Sequence, residues 1–193
     1  MAVANGFPSH DLDTAPEASK PLLETSRKSF GRLPGLHRVM AESPQHLEAY
    51  QVLHRLFQQT AFDAEEMTVV WQSINVEHAC HYCVPAHTGI AKMMKVDDAI
   101  VDALRDETPL PSPKLEALRT FTLQVVRRRG ALEPGQLQAF FGAGYDHRAV
   151  LDVILGVAQK TMSNYVNHLA ETPLDDFAKP FAWERSKSPI AAE

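Results

Sequence analysis

Helix start signals recur along this chain from residue 43 onward, and they constrain its fold more than any other feature. Each is a capping residue followed by proline at the first helical position or by an apolar stretch, as helix N-termini favour. Apolar residues then return at every third or fourth position, whereas the sustained alternation typical of β-strands is absent. The signals stand at Ser43-Pro44, Asp63 with Glu66, Asp97, Ser112-Pro113, Glu133-Pro134 and Asp146. The sequence therefore predicts an all-α fold, a helical bundle of about six to eight helices.

The length of the chain predicts one domain with an arm at each end. A chain of 193 residues that is 45% hydrophobic can bury a sizeable core in a single domain. Residues 1–30 mix Pro, Ser, Asp and Lys with few apolar positions, which predicts a loosely ordered N-terminal arm. The helical pattern assigns residues 31–182 to the domain and residues 183–193 to a C-terminal tail.

Charge and hydropathy argue against two classes of partner. The formal net charge is -5, and the only basic run, residues 127–129, stands where a helix would end, so we expect no nucleic-acid partner. No apolar run approaches the roughly 20 residues of a membrane span, and the N-terminus lacks the basic flank and apolar core of a signal peptide. We therefore expect a cytoplasmic protein with no membrane partner.

Both cysteines stand three residues apart in the stretch NVEHACHYCVPAHTG, residues 75–89. In a reducing compartment such a pair is more often catalytic or metal-binding than structural. Pro85 is tolerated only in the first turn of a helix, so a helix should begin between about residues 81 and 84. Cys80 then lies at or just before the helix start. Cys83 lies in the cap or first turn, where the helix dipole stabilises a thiolate.

Two further residues complete a candidate catalytic group. His87 lies one helical turn after Cys83, where it can take the thiol proton and return it later. Glu77, three residues before Cys80, could orient His87 or a neighbouring histidine. In a C-x-x-C pair, one thiolate attacks and the other thiol resolves the product as a disulfide. The pattern predicts redox chemistry that needs no cofactor, whether metal, haem or flavin.

Other interpretations of the same residues stay open. A non-catalytic, zinc-stabilised interaction module is one of them, because the two cysteines and nearby histidines can supply four ligands. These ligands would be Cys80, Cys83, His87 and either His78 or His81. The cysteines could also be a buried packing pair, since cysteine is among the most readily buried residues. For His168, which follows Asn167, we expect a structural or subunit-contact role.

The residues around the motif resemble those of a known protein family. VEHACHYCVPAHTG resembles the C-x-x-C-x-x-x-H motif of the alkylhydroperoxidase D (AhpD)-like branch of the carboxymuconolactone decarboxylase superfamily, particularly its peroxidase-related members. Three further stretches look like the family's neighbouring helices: SPQHLEAYQVLHRLFQQTAFDAEEMTVVWQSI, SPKLEALRTFTLQVVRRRGAL and LDVILGVAQKTMSNYVNHLAETPLD. The resemblance covers roughly residues 30 to 182. It implies an all-helical fold that assembles as a homo-oligomer, usually a trimer or hexamer.

The resemblance also implies a role for each residue of the motif. Cys83 looks like the peroxide-attacking cysteine, Cys80 like the resolving one, and His87 like the histidine of the proton relay. The family's relay often includes a glutamate twelve residues before the first cysteine, and Thr68 stands there in this chain. Glu77 matches an alternative glutamate of some peroxidase-related members. Which carboxylate completes the relay therefore stays open.

The activity implied by the resemblance is peroxiredoxin-type, antioxidant reduction of hydroperoxides, or disulfide exchange. The implied partners are a hydroperoxide substrate and an external dithiol reductant, either lipoyl or thioredoxin-like. Lactone decarboxylase chemistry is the alternative inside the superfamily, and it should survive the loss of both cysteines because it does not rely on the C-x-x-C pair.

Overall fold

The computed structural model describes residues 4–185, and over this range the chain is all α-helical, as predicted. It is 67% helical, with nine α-helices and no β-strand in the described range. The helices are α1 Lys20–Phe30, α2 Gly35–Met40, α3 Pro44–Phe57, α4 Ala64–Glu77, α5 Cys83–Met93, α6 Asp98–Arg105, α7 Pro113–Arg128, α8 Pro134–Gly142 and α9 His147–Ala170. None of the helices in this range is long and apolar enough to cross a membrane.

Most helices begin at the predicted capping residues. Five side chains accept a backbone N–H of the first helical turn: Ser43, Asp63, Asp97, Ser112 and Asp146. At Asp63 the cap is reciprocal, because the Glu66 carboxylate accepts the backbone N–H of Asp63. Helix α5 begins at Cys83, inside the predicted interval and two residues before Pro85. Local sequence thus determines where the helix that carries the motif begins.

Residues 20–30, which the sequence analysis placed in a loosely ordered arm, form helix α1 instead. Leu23 is fully buried, and Ser26 Oγ is hydrogen-bonded to His37 Nδ1 of α2 at 2.8 Å. The Gln51 amide of α3 also donates to Ser26 Oγ, at 2.7 Å. These contacts order a segment whose polar composition suggested a loose chain. Residues 1–3 of the predicted arm and 186–193 of the predicted tail lie outside the described residues.

Helix α4 lies at the centre of the bundle. It packs against α5, α6, α7 and α9, and every residue from 68 to 76 is buried. Trp71 and Ile74 belong to the larger apolar cluster, in which the rings of Phe121 and Phe140 stack with centroids 3.9 Å apart. A second cluster surrounds the cysteine pair and includes Leu23, Leu36, Met40, Leu47, Tyr50, Cys80, Tyr82 and Cys83. The motif therefore lies inside the folded core.

Helix α9 buries a largely polar face, although apolar residues recur along it at every third or fourth position. Ile154, Tyr165 and Leu169 are 48%, 54% and 62% exposed. The buried face carries Gly156, Gln159, Lys160, Ser163, Asn164 and Asn167. Polar groups inside a protein need hydrogen-bond partners, and several of these find them around the cysteine pair. The exposed apolar residues suit a contact with another chain, and the expected trimer or hexamer stays a prediction.

At Gly156, α9 packs closely against α3 and α4. A Cβ atom there would lie 2.7 Å from Phe57 Cε2 and 2.8 Å from Val70 Cγ1, and both residues are fully buried. Overpacking costs about 1–3 kcal/mol, which outweighs the gain of up to ~1 kcal/mol from removing a helical glycine. We expect Gly156→Ala to lower the free energy of unfolding, as measured by urea denaturation.

The matched control for this substitution is Gly135→Ala in α8. A Cβ atom at Gly135 meets no other atom within 4 Å, and the residue is exposed. This variant should be as stable as the parent or more stable, because alanine favours the helix. A Gly156→Ala protein that unfolds at the parent's urea concentration would contradict the close packing of α9.

Candidate active site

The cysteine pair lies in the turn between α4 and α5. Ala79 adopts a left-handed conformation (φ 50°) after the end of α4, and the chain then enters α5 at Cys83. Both thiols are free, and Cys80 and Cys83 are 0% and 2% exposed. The backbone N–H of Cys83 donates to Cys80 Sγ at 3.2 Å. The first turn of α5 therefore holds the two side chains together inside the protein.

Asparagines that the sequence analysis did not select surround Cys83. Asn167 Nδ2 of α9 donates to Cys83 Sγ at 3.2 Å. Asn164 Nδ2 donates to Asn75 Oδ1 at 3.0 Å, and Asn75 Nδ2 donates to the Cys83 carbonyl at 3.4 Å. The Asn167 amide thus binds the sulfur atom directly. Side chains of α4 and α9 together position the start of α5.

The polar partner of His87 is a lysine. His87 Nε2 and Lys160 Nζ lie 2.8 Å apart, and both side chains are buried. A charged lysine only donates, so His87 Nε2 accepts and the imidazole proton resides on Nδ1, which has no hydrogen-bond partner among the described residues. The ring also packs on Trp71, with centroids 4.9 Å apart. His87 is therefore hydrogen-bonded to Lys160, whereas the sequence analysis paired it with the Cys83 thiol.

Neither of the two candidate carboxylate positions contributes a carboxylate to this site. Both oxygens of Glu77 accept hydrogen bonds from Arg127 of α7, at 2.8 Å each. The prediction that Glu77 orients His87 or His81 is corrected for this reason. Thr68, at the family's usual glutamate position, donates its hydroxyl to the carbonyl of Ala64 at 2.8 Å. The cation Lys160 is the group that binds His87.

The surroundings of the two cysteines shift their pKa values in opposite directions. Burial alone raises the pKa of Cys83. A hydrogen bond with Cys80, the charge of Lys160 and hydrogen bonds from Asn167 and Asn164 together overcome this effect and lower the pKa to about 6. Burial, followed by interactions with Cys83, raises the pKa of Cys80 far above its ordinary value. At neutral pH the site therefore holds Cys83 as a thiolate and Cys80 as a thiol.

A pocket of about 90 Å³ gives access to Cys83. Cys83, His87 and Lys160 line it, and its other walls are mostly apolar and aromatic. Those walls include Phe30, Leu36, Tyr50, Tyr82, Ile90, Met93 and Phe177. A compact apolar reactant can reach the thiolate through such a pocket.

The geometry around the motif does not favour a metal site. Residues 4–185 contain no group of three or more His, Cys, Asp or Glu side chains arranged to hold a metal ion. Of the suggested zinc ligands, His78 Nδ1 is hydrogen-bonded to Asn164 Oδ1 at 2.9 Å, and His81 Nε2 to the Thr172 carbonyl at 3.1 Å. The Lys160 ammonium beside His87 would also repel a cation.

Comparison with solved structures identifies proteins that share this fold. No protein-family model and no curated protein sequence matches the chain. The AhpD core of an uncharacterized peroxidase-related protein from Ralstonia eutropha JMP134 superposes with a TM-score of 0.75 at 19% identity, over 89% of this chain and 93% of that one. An uncharacterized peroxidase-related protein from Silicibacter sp. TM1040 gives 0.75 at 16% identity, over 90% and 92%.

This chain has an AhpD-like fold. The debrominase Bmp8, in a complex with 2,3,4-tribromopyrrole, has the same fold, with a TM-score of 0.75 at 15% identity over 92% of this chain and 96% of that one. The fold implied by the resemblance in sequence is therefore confirmed. Peroxidase-related proteins and a debrominase share this fold. The activity of this chain must therefore be argued from its own site.

The pH dependence of Cys83 reactivity follows from its lowered pKa. Because the thiolate is the nucleophile, alkylation of Cys83 by iodoacetamide should stay constant from pH 9 down to about pH 7 and fall below about pH 6. Mass spectrometry separates Cys83 from Cys80, whose raised pKa should leave it unmodified over the same range. A midpoint near the ordinary cysteine value of about 8.5 would contradict the electrostatics of the site.

Proposed function

We propose that this protein is a thiol peroxidase, an antioxidant oxidoreductase that reduces hydroperoxides through a dithiol and disulfide cycle of Cys83 and Cys80. The observation that carries the proposal is the asymmetry of the pair. The pKa of Cys83 is lowered, whereas that of Cys80 is raised. The sulfur of Cys80 accepts the backbone N–H of Cys83 at the start of α5. A thiolate beside a protonated thiol has what this cycle requires, an attacking group and a resolving group.

The proposed cycle has three steps. The Cys83 thiolate attacks the distal oxygen of the hydroperoxide, the O–O bond breaks, and an alkoxide leaves and takes a proton to become the alcohol. Sulfur loses two electrons and becomes a sulfenic acid. Cys80 then attacks that sulfur, which forms the disulfide and releases water. An external dithiol, lipoyl or thioredoxin-like, reduces the disulfide and restores both cysteines.

The pocket supports a compact organic hydroperoxide as substrate. Its volume of about 90 Å³ is below the roughly 300–1,000 Å³ of sites that hold larger ligands. Its mostly apolar walls favour an alkyl or aryl group over a second polar group. Tert-butyl hydroperoxide is therefore a suitable test substrate.

Thiol-dependent dehalogenation of a small halogenated aromatic is a second candidate. The aromatic walls of the pocket and the similarity in fold to a debrominase bound to tribromopyrrole both favour it. In that reaction the two thiols would become a disulfide while the ring exchanges bromine for hydrogen and bromide is released. Bromide release from 2,3,4-tribromopyrrole by the reduced protein distinguishes it from peroxide reduction.

Titration of free thiols tests the proposed function directly. The reduced, metal-free protein should have two titratable thiols in denaturant. One equivalent of tert-butyl hydroperoxide should remove both, because one peroxide converts the pair to a disulfide. Two thiols that stay reduced after prolonged exposure would overturn the peroxidase proposal.

A further inference from the structure

Lys160 is a lysine buried inside the bundle without a carboxylate partner. It is 1% exposed, and its ammonium is hydrogen-bonded to His87 Nε2. Burial lowers the pKa of Lys160, and the groups that oppose this shift are Cys83 and then Cys80, with no Asp or Glu of residues 4–185 among them. A buried charge is costly unless an opposite charge compensates it. The Cys83 thiolate is the anion that the site offers.

The other ionisable groups around Lys160 come from α3, α5 and the turn before α5. They are Tyr50, His54, Cys80 and His87. The pocket is also lined by His37 and Tyr82, which burial keeps uncharged, and by Arg32, whose guanidinium lies 3.8 Å from the centroid of the Phe177 ring. Burial and the charge of Lys160 lower the pKa of His54 to about 4 and that of His87 well below its usual range, so both are neutral. Burial raises the pKa of Tyr50 and Cys80, so both keep their protons. Within this cluster, Lys160 and Cys83 form the one pair of opposite charges.

A carboxylate also lines the pocket, but it is bound elsewhere. Asp175 accepts the Tyr82 hydroxyl at 2.6 Å and the backbone N–H of Gly35 at 3.0 Å. It therefore does not take the place of the family's relay glutamate beside His87. The position next to His87 belongs to Lys160.

We propose that Lys160 is a catalytic residue: its ammonium holds Cys83 as a thiolate, and its proton goes to the alkoxide that leaves the peroxide. A cation thus replaces the carboxylate of the relay. His87 acts as a positioning residue, because its Nε2 accepts from Lys160 and orients the ammonium in the pocket that the peroxide enters. This inference rests on the proposed function and adds the proton source of its first step.

Protons and electrons balance around the cycle. In the first step, the Cys83 thiolate, the hydroperoxide and charged Lys160 become the sulfenic acid, the alcohol and neutral Lys160. Neutral Lys160 then takes the Cys80 proton and returns it to the hydroxide that leaves as water when the disulfide forms. Reduction of the disulfide by a dithiol supplies two protons, of which one restores the Cys80 thiol and the other recharges Lys160.

Thiolate titration of two Lys160 variants tests both parts of the role. Lys160→Met removes the charge at nearly constant volume, so the midpoint of the thiolate absorbance at 240 nm should rise by at least about one pH unit. Oxidation of Cys83 by tert-butyl hydroperoxide at pH 7 should slow by about 10–100-fold. Lys160→Arg should keep the low midpoint but not the rate, because a guanidinium does not release its proton near neutral pH.

Ser163→Ala is the matched control on the same buried face of α9. It removes a buried hydroxyl that is hydrogen-bonded to the Lys160 carbonyl, and it changes no charge. Its midpoint and its rate should match the parent. Thermal unfolding of each variant shows whether the fold is kept. Loss of one partner of a buried ion pair destabilises a protein when the other charge stays unpaired, and Cys83 relieves this in Lys160→Met by taking a proton.

Two results would overturn the inference. A Lys160→Met protein with the parent's midpoint would show that Lys160 does not hold the thiolate. A Lys160→Arg protein that reacts at the parent's rate would show that the lysine proton is not needed. The titration requires no peroxide, so it tests the role of Lys160 in holding the thiolate by itself. A wild-type protein that leaves peroxides intact would overturn the proposed function and leave the result of this titration unaffected.

Discussion

Replacing Cys83 by serine lowers the rate of reaction with tert-butyl hydroperoxide by at least about a thousandfold, because a neutral hydroxyl replaces the thiolate nucleophile. Serine is the closest substitute in shape, and its oxygen can still accept from Asn167. The fold should therefore be kept and only the chemistry lost. Peroxide consumption under single-turnover conditions measures the loss, and far-ultraviolet circular dichroism confirms the helix content.

The opposite result would reassign the roles of the two cysteines. Peroxide reduction within tenfold of the parent would show that Cys83 is not the attacking group. The lactone decarboxylase alternative is tested in the variant that carries serine at both positions, Cys80 and Cys83. Lactone turnover that persists in this double variant would favour that chemistry, since it does not depend on the pair.

Replacing Cys80 by serine should separate the first turnover from all later ones. Cys83 keeps the nearby charge of Lys160 and the hydrogen bond from Asn167, so the first equivalent of peroxide should be consumed within about threefold of the parent rate. Steady-state turnover with dithiothreitol should fall by at least about a hundredfold. The resolving thiol is gone, so the Cys80 to Cys83 disulfide through which the dithiol restores the protein can no longer form.

The accumulated intermediate provides a second measurement on the Cys80→Ser protein. A sulfenic acid on Cys83 should be trapped by dimedone and located by mass spectrometry. The serine hydroxyl retains a hydrogen-bond donor toward Cys83, whereas Cys80→Ala removes it, so the alanine variant should show the higher thiolate midpoint. Undiminished turnover of Cys80→Ser with the dithiol would contradict a cycle that passes through the Cys80 to Cys83 disulfide.

The part of the site that the sequence predicted correctly is local. Pro85 restricted the start of α5 to a few residues, and α5 begins within them at Cys83. The spacing of Cys80 and Cys83 then brings both side chains to one helix turn, without help from the rest of the chain. The prediction for Glu77 failed because its partner Arg127 lies 50 residues further along, on a helix whose packing partner no local rule specifies.

The sequence contained a signal for Lys160 and Asn167 that a count of apolar positions overlooked. Both follow the buried Val153 of α9 at intervals of seven residues, which places all three on one face of the helix. Polar residues at the spacing of a buried position mark a face that needs partners inside the protein. Apolar residues on another face of the same helix, such as Tyr165 and Leu169, are more than half exposed.

The sequence by itself determined the helix class, most helix ends and the position of the two cysteines at a helix start, because capping and turn contacts span only a few residues. The tertiary structure alone decided which groups surround Cys83 and lower its pKa. The charge of Lys160 and the amide of Asn167 reach the motif from α9, 73 and 84 residues from their partners His87 and Cys83. A helix with apolar residues on more than one face can be buried in several ways, and only its packing against α3, α4 and α5 selects the polar face that surrounds Cys83.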